Sequence, residues 1–307
     1  IRGREHYFSE GITWSDISSG KLAFRLLPTG CLFDAKGPSA FGIDHKTLMG
    51  FLNTDFVNRL SKSLNPTLSF QIGEFKKLPI LKEVSCDEQI IDRNINFSKN
   101  DWDSRETSWD FEQAPLLNKT NALEQAVQTW QEQVTQDFFQ LHANEEELNR
   151  IFIDIYGLQE ELTPEVALKD ITILQEELSK NDMVALEDDF RANGANSIEL
   201  PIDKGEVISQ FISYAIGLFM GRYRLDKPGL NIAQPNPTAE ELTSYSYNNG
   251  KVIIDEDAIL PLMGKNCNFP DDALQQFQQV LDTIWGHETR TENINFIQEC
   301  LDKDLEK

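Results

Sequence analysis

The sequence predicts an α+β protein, in which a small mixed α/β segment is followed by a predominantly helical domain. Three observations predict this class. Apolar residues alternate in short runs over the first 80 residues, they recur at helical spacing after residue 120, and a polar stretch separates the two patterns. A chain of 307 residues is also long enough for about two domains. The predicted segments are therefore 1–82, a polar connector at 83–118, and a helical acidic domain at 119–307.

The first segment begins with predicted strands. Leu22, Phe24 and Leu26 alternate with other side chains, as in a half-buried strand, before Pro28 ends the run. The apolar run Cys31–Phe33 predicts a second short strand.

One helix and one further strand complete the first segment. Apolar residues recur at helical spacing from residue 48 to residue 60, Asp44 is a predicted N-cap, and Asn65 with Pro66 ends the predicted helix. Leu68–Ile72 then alternates as a strand before Gly73.

The remaining chain reads as helices separated by polar loops. The predicted helices cover residues 123–141, 148–155, 207–219, 271–285 and 291–301, with a loop-rich zone around Glu187–Asp189. Asn248–Gly250 predicts a turn before a short strand at Val252–Ile254. Gly217 and Gly221, four residues apart, predict that another element packs closely against the helix at 207–219.

Charge is distributed unevenly along the chain. The net charge is −23, from 28 basic and 51 acidic residues. Residues 1–80 hold ten basic and seven acidic residues, about +3, whereas the rest holds 18 basic and 44 acidic residues, −26. A polyanion can approach the first segment and is repelled by most of the rest. The alternative is that the acidic surface only keeps the protein soluble.

Several classes of protein are excluded or unsupported by the sequence. No apolar run approaches the roughly 20 residues of a membrane-spanning helix. The four cysteines form no C-x-x-C pair, so reduced thiols in a cytoplasmic protein are expected rather than a zinc or disulfide scaffold. The sequence contains no phosphate-binding loop, no G-x-G-x-x-G turn, no G-x-S-x-G elbow and no H-E-x-x-H pair.

Longer phrases carry a family resemblance. They are Glu10–Ser15, Ser18–Arg25, Pro28–Asp34, Leu48–Thr54, Leu64–Gly73 and Leu78–Ile80, followed by Asp101–Phe111, Tyr214–Gly217 and Met220–Asp226. The first six resemble the target-recognition segment of the large adenine-specific DNA methyltransferases of PglX type, from BREX phage-defence systems, and of related fused restriction–modification enzymes. The last three resemble the connector and downstream helical region of PglX-type proteins. The resemblance covers the carboxyl-terminal part of such a protein, and the absence of an initiator Met before Ile1 also predicts a piece of a longer polypeptide.

The resemblance implies a full-length enzyme that transfers a methyl group from S-adenosylmethionine to N6 of adenine. The family's catalytic tetrapeptide, Asn or Asp-Pro-Pro-Tyr or Phe, is absent here. Asn65-Pro66-Thr67 and Asn236-Pro237-Thr238 lack its second proline and its aromatic residue. The glycine-containing cofactor loop is absent as well, so we assign no catalytic, cofactor-binding or metal-binding residue. This chain alone is expected to be inactive.

The predicted contact with double-stranded DNA lies in the first segment, where hydroxyl and basic side chains are dense. Such groups bind phosphates and base edges. The candidate DNA-binding residues are Trp14, Ser15, Ser18, Ser19, Lys21, Arg25, Lys36, Ser39, Lys76 and Lys77.

Two alternatives stand beside DNA recognition. In the first, the acidic helical part is a protein-interaction module that docks other subunits of a defence complex. In the second, the chain is an acidic DNA mimic, which the positive first segment argues against.

Overall fold

The computed structural model describes residues 3–42, 44–81, 86–117, 119–248, 250–255, 257, 259–263, 269 and 271–305. Its strands are β1 (Gly11–Trp14), β2 (Phe24–Leu27), β3 (Ser39–Ala40), β4 (Tyr245–Tyr247) and β5 (Gly250–Val252). Its helices are α1 (His45–Leu52), α2 (Asp55–Leu64), α3 (Ile72–Phe75), α4 (Glu88–Asp103), α5 (Leu123–Tyr156), α6 (Lys180–Asn193), α7 (Lys204–Phe219), α8 (Ala273–Trp285) and α9 (Arg290–Leu301). Short antiparallel strands and longer helices together confirm the predicted α+β class.

The chain forms two compact units. The first comprises residues 1–98 and 139–171, and the second comprises residues 99–138 and 172–307. Both α4 and α5 contribute residues to each unit. The predicted segments 1–82, 83–118 and 119–307 concern the functional organisation of the chain, and they stay a prediction.

A three-stranded antiparallel sheet in the order β2-β1-β3 organises the first unit. Ile12 and Trp14 of β1 are 0% and 2% exposed, whereas Thr13 between them is only partly buried. Because successive side chains on a strand point to opposite faces, one face of the sheet lies on the core and the other faces outward.

The core of the first unit is aromatic and aliphatic. Trp14 stacks on Phe75 with ring centroids 4.8 Å apart, and Phe24 lies 5.4 Å from Trp14. Helix α1 covers this layer, and side chains of α4 and α5, including Ile91 and Phe152, close it. Burial of these apolar side chains is the main term that stabilises the unit.

The predicted single helix from Asp44 to Asn65 is wrong in one respect, because it breaks into α1 and α2. Asp44 caps α1 as predicted, by accepting hydrogen bonds from the amides of Lys46 and Thr47. The break occurs at Asn53, whose side chain bonds both the amide and the carbonyl of Phe24 in β2, at 2.9 and 3.0 Å. The backbone of β2 therefore competes successfully with continued helix.

Two predicted strands are also wrong. Cys31–Phe33 is not a strand, because the Phe33 ring packs among Tyr7 and Phe41 in an aromatic cluster. Leu68–Ile72 forms only a single bridge from Ser69, and Ile72 already begins α3. In both segments too little backbone pairs with a neighbouring strand, so the apolar pattern alone was misleading evidence for a strand.

The helical part departs from prediction at α5 and α6. The helices predicted at 123–141 and 148–155 are one helix, α5, which contains no Gly or Pro and ends before Gly157 at a φ of 67°. The loop predicted around Glu187–Asp189 lies within α6, which begins at an N-cap on Ser179. Met183 is the buried side chain of α6, so the helix has almost no apolar periodicity to detect.

The second unit is built around α7, which packs with α8 and α9 as their predicted amphipathic patterns require. The rings of Phe211 and Trp285 lie 5.5 Å apart in this core. A Cβ atom on Gly217 would lie 2.6 Å from the Tyr223 ring just beyond the helix, and one on Gly221 would lie 2.7 Å from Ile232 and Ile254, so a more distant part of the chain approaches closely at Gly221. The strand predicted at 252–254 is placed instead at Gly250–Val252, as β5, which pairs with β4 in an antiparallel hairpin. Asn249 of the predicted turn lies outside the described residues.

Candidate nucleic-acid interface

Three side chains form a row across the outward face of the first unit's sheet. Thr13 in β1 pairs with Arg25 in β2 on one side and with Ser39 in β3 on the other. Directly opposed residues in antiparallel strands point to the same face. We call Arg25, Thr13 and Ser39 the sheet row. It presents one guanidinium and two hydroxyls on the face opposite the buried Trp14.

Arg25 is the cationic member of the sheet row. Its side chain is exposed, and it makes no ion pair with any carboxylate that the structure describes. The two hydroxyls are anchored locally, since Thr13 Oγ1 donates to the Pro38 carbonyl at 3.1 Å and Ser39 Oγ donates to the Gly37 carbonyl at 3.3 Å. Each hydroxyl oxygen keeps lone pairs for a further donor, and the guanidinium keeps its planar set of N–H groups.

Lys36 is held beside the sheet by a buried carboxylate. Its Nζ lies 2.8 Å from Asp16 Oδ2, and Ser69 Oγ donates to Asp16 Oδ1 at 2.8 Å. These hydrogen bonds, that of Lys36 first, hold the pKa of Asp16 below its usual range. The Lys36 side chain remains 71% exposed, so its ammonium can contact a second anion while it stays paired.

The loop that carries Lys36 is fixed by Asp34. Its Oδ1 accepts hydrogen bonds from the amides of Lys36 at 2.7 Å and Gly37 at 2.8 Å. These backbone hydrogen bonds lower the pKa of Asp34. The carboxylate is exposed, so it also places one negative charge close to the outward face.

Lys21 lies among carboxylates of the same unit. Its Nζ pairs with Asp170 at 2.8 Å. Burial raises the pKa of the neighbouring Glu145 to about 7, with Lys21 acting against the rise and Asp170 adding to it. The charge of Lys21 is therefore largely offset within the protein.

Trp14 is the buried member of the ten predicted residues. Its Nε1 donates to the Phe70 carbonyl at 2.8 Å, and its ring stacks on Phe75. The ring therefore lies on the core side of the sheet, away from the outward face.

The remaining predicted residues are not gathered into the sheet row. Ser15 and Ser19 are exposed, and Ser18 is partly buried, with its Oγ accepting from the Gly20 amide at 3.3 Å. Lys76 and Lys77 are exposed at the end of α3. Because Phe75 packs on the core side of the sheet, these two lysines follow an element on the face opposite Arg25.

Sequence reasoning missed Thr13, which joins Arg25 to Ser39. Its signal was present, since Ile12 and Trp14 flank it in strand-like alternation. It also missed the aromatic cluster that covers the other end of the outward face, where a Cβ atom on Gly11 would lie 2.8 Å from the Phe41 ring. That cluster joins three separate loops, so no local pattern could reveal it.

No protein-family model matches the chain. The chain is 38% identical over 308 residues to the adenine-specific methyltransferase PglX of Lacticaseibacillus casei (strain Zhang), an alignment that covers 96% of this chain and 23% of that protein. The chain belongs with the PglX-like proteins. This confirms the resemblance predicted from the sequence.

A second relative agrees with the first. The chain is 30% identical over 308 residues to the adenine-specific methyltransferase BrxX of Escherichia coli O9:H4 (strain HS), across 98% of this chain and 24% of that protein. This PglX-like chain thus spans about a quarter of the length of each of these relatives.

The described residues do not fit S-adenosylmethionine, the methyl donor that the family implies. Their strands form only antiparallel sheets, without the parallel strand–glycine turn–helix unit that holds nucleotide cofactors in doubly wound folds. One cavity of about 310 Å³ in the second unit has Ala122 as its sole apolar lining residue, beside Glu124 and Glu292. Its lining residues are mainly polar or charged, whereas ligand pockets are lined predominantly by hydrophobic and aromatic side chains.

The described part of the chain contains no group of three His, Cys, Asp or Glu residues arranged to hold a metal ion. No described helix is both long enough and apolar enough to cross a bilayer.

Proposed function

We propose that this chain is a target-recognition and accessory region of an N6-adenine-specific DNA methyltransferase that acts in phage defence or restriction–modification. The sheet row and the neighbouring Lys36 contact double-stranded DNA. The observation that carries this proposal is the exposed guanidinium of Arg25, which no described carboxylate neutralises and which lies at one end of a row that continues with the hydroxyls of Thr13 and Ser39. Both named relatives are adenine-specific methyltransferases, which supports DNA as the partner.

The dimensions of the sheet suit a DNA groove. Neighbouring strands lie about 4.8 Å apart, so the three strands are roughly 10 Å wide between their outer axes. The major groove of B-DNA is about 12 Å wide and admits a two-stranded β-ribbon, so the pair β1 and β2 is the part of the sheet that can enter it. Within it, Arg25 is the side chain able to bind guanine O6 and N7 in a bidentate manner, while Thr13 and Ser39 contact base edges or phosphates.

The charge distribution favours approach through the first unit. This unit holds 14 basic and 19 acidic residues, whereas the second unit holds 14 basic and 32 acidic residues, a net charge of −18. DNA is repelled most strongly by the second unit, and within the first unit the positive excess lies in residues 1–80. This repulsion, together with the contacts of the sheet row, favours an orientation in which the first unit faces the DNA.

Methyl transfer and binding of S-adenosylmethionine belong, in this proposal, to parts of the full-length protein outside this chain. The chain contributes by fixing the position of the duplex relative to the catalytic part. Its contacts with the groove thereby select which adenine, some distance along the DNA from those contacts, is modified. Because the proposed substrate is genomic or phage DNA, we assign the protein to the cytoplasm.

The proposal is tested by charge reversal at Arg25 in the full-length enzyme. Arg25→Glu should lower site-specific methylation more than about tenfold, because a bidentate contact is lost and a carboxylate faces the groove. Lys62→Glu is the matched control, since Lys62 is an exposed cation of the same unit on α2 and its ammonium has no described carboxylate partner. Equal methylation by Arg25→Glu and Lys62→Glu would contradict the proposal.

Lys21 and Lys36 are poor choices for the same experiment. Replacing Lys36 by Glu would set a second carboxylate against buried Asp16, and replacing Lys21 would leave Asp170 unpaired. Loss of activity in those variants would report on stability as much as on DNA binding.

A further inference from the structure

A fully exposed tryptophan lies in the second unit. Trp109 is 101% exposed and Trp102, in the last turn of α4, is 59% exposed. Neither ring contacts another aromatic ring within the described residues. An aromatic side chain that becomes buried removes about 150–250 Å² of surface from water. Burial of these two exposed indoles against a partner would therefore contribute a large favourable free energy to binding.

The turn that carries Trp109 is rigidly held. Lys99 in α4 pairs with Asp103 at 2.5 Å and with Asp110 at 2.9 Å, which ties the residue after Trp109 back to the helix. Ser108 Oγ donates to Asp103 Oδ1 at 2.7 Å and accepts from the Asp110 amide at 3.1 Å. The exposure of Trp109 is therefore a fixed feature of the fold rather than a result of a loose loop.

A buried arginine anchors the base of the same turn. Arg105 pairs with Asp101 at 2.8 Å and with Glu177, itself 3% exposed, at 2.8 Å. Phe111, at the far end of the turn, is 6% exposed and packs edge-on against Tyr223. Both ends of the turn are thus fixed in the interior, while Trp109 between them points into solvent.

The surroundings of Trp109 select the chemistry of a partner. Residues 99–112 hold two basic and five acidic residues, and the unit as a whole has a net charge of −18. DNA phosphates are repelled from such a surface, which argues against base stacking on the indole. A protein surface with an apolar pocket rimmed by Lys or Arg complements both the ring and the charge.

We propose that Trp109, assisted by Trp102, is the anchor of a docking site for a basic protein surface. Tryptophan is enriched among the residues that dominate protein–protein binding, and a preorganised anchor loses little conformational freedom on association. This role is independent of the DNA contact proposed for Arg25, because it uses other residues in the other unit.

The test uses the full-length protein and, as probe, a labelled amphipathic peptide in which lysine and leucine alternate. Fluorescence anisotropy should show that Trp109→Ala weakens peptide binding more than about tenfold, with a smaller loss for Trp102→Ala. Leu230→Ala is the matched control, because Leu230 is a 56% exposed apolar residue of the same unit. None of the three substitutions changes the net charge of the protein.

Three results would overturn the proposal. Unchanged peptide binding by Trp109→Ala would mean that the attraction is charge alone. Binding of duplex DNA that depends on Trp109 would assign the site to nucleic acid, and loss of self-association in Trp109→Ala by sedimentation would assign it to a second copy of this chain.

Discussion

Side chains of the same type have different roles in this protein because of their immediate partners. Lys36 neutralises buried Asp16, and Lys21 offsets the carboxylates of Asp170 and Glu145, whereas Arg25 faces solvent with no described acid beside it. A basic side chain is available to bind DNA only to the extent that no carboxylate of the protein already neutralises its charge. Arg25 is therefore a sharper target than the whole set of basic residues.

Glu145 gives a pH-dependent prediction. Its pKa is raised from 4.5 to about 7 by burial, so the folded state holds the proton more tightly than the unfolded chain does. Between these two values stability falls as pH rises. Glu145→Gln removes this penalty. The change in unfolding free energy that it causes should therefore be more favourable to the folded state at about pH 8 than at about pH 5, by about 1–2 kcal/mol once the partial exposure of the side chain is allowed for.

Urea unfolding at the two pH values measures this difference. Glu165→Gln removes one carboxylate from an exposed position of the same unit and serves as the control. If Glu145→Gln gave the same change in unfolding free energy at both pH values, burial of the Glu145 carboxylate would not have the assigned effect.

At the scale of elements, caps and breaks decide where helices lie. Thr54 separates α1 from α2: it is 2% exposed, its Oγ1 donates to the Phe51 carbonyl at 2.7 Å, and it accepts from the Val57 amide at 3.4 Å. One hydroxyl thus ends one helix and begins the next.

Thr54→Ala should destabilise the protein by about 1–2 kcal/mol, because a buried carbonyl and a helix N-terminus each lose a partner. Thr54→Ser keeps the hydroxyl and should retain most of the stability. Chemical denaturation of the three proteins measures the difference. A Thr54→Ser variant as unstable as Thr54→Ala would point to packing of the methyl group instead of capping.

Elements with strong local signals could be predicted from the sequence. The amphipathic patterns of α7, α8 and α9 gave their positions within a few residues. Elements whose limits depend on distant partners could not: α1 ends because Asn53 binds β2, and the run Leu68–Ile72 lacks a strand to pair with. Periodicity reports local amphipathicity and carries no information on these long-range hydrogen bonds.

The candidate site was predictable as a region but not as an arrangement. Composition located it in residues 1–80, and nine of the ten predicted residues have side chains that reach the surface. The register that aligns Arg25 with Thr13 and Ser39 depends on pairing among three strands, one of them only two residues long. The burial of Trp14 likewise depends on Phe70 and Phe75, which are more than 50 residues away in sequence.

At the scale of the whole molecule, self-repulsion follows from the net charge of −23. Surface ion pairs contribute little individually, so screening of the net charge should outweigh their loss. Raising NaCl from about 0.05 M to about 0.5 M should raise the Tm by about 2–4 °C. Calorimetry measures this, and a Tm that falls with added salt would mean that attractive pairs dominate.

In the proposed function, the outward face of the sheet lies against DNA. Site-specific photo-crosslinking in the full-length protein tests it most directly, with a benzophenone side chain placed at Ser39 and, as control, at exposed Ser63 on α2. The predicted result is a crosslink to target duplex from position 39 and none from position 63. Crosslinking from position 63 but not from position 39 would contradict the claim.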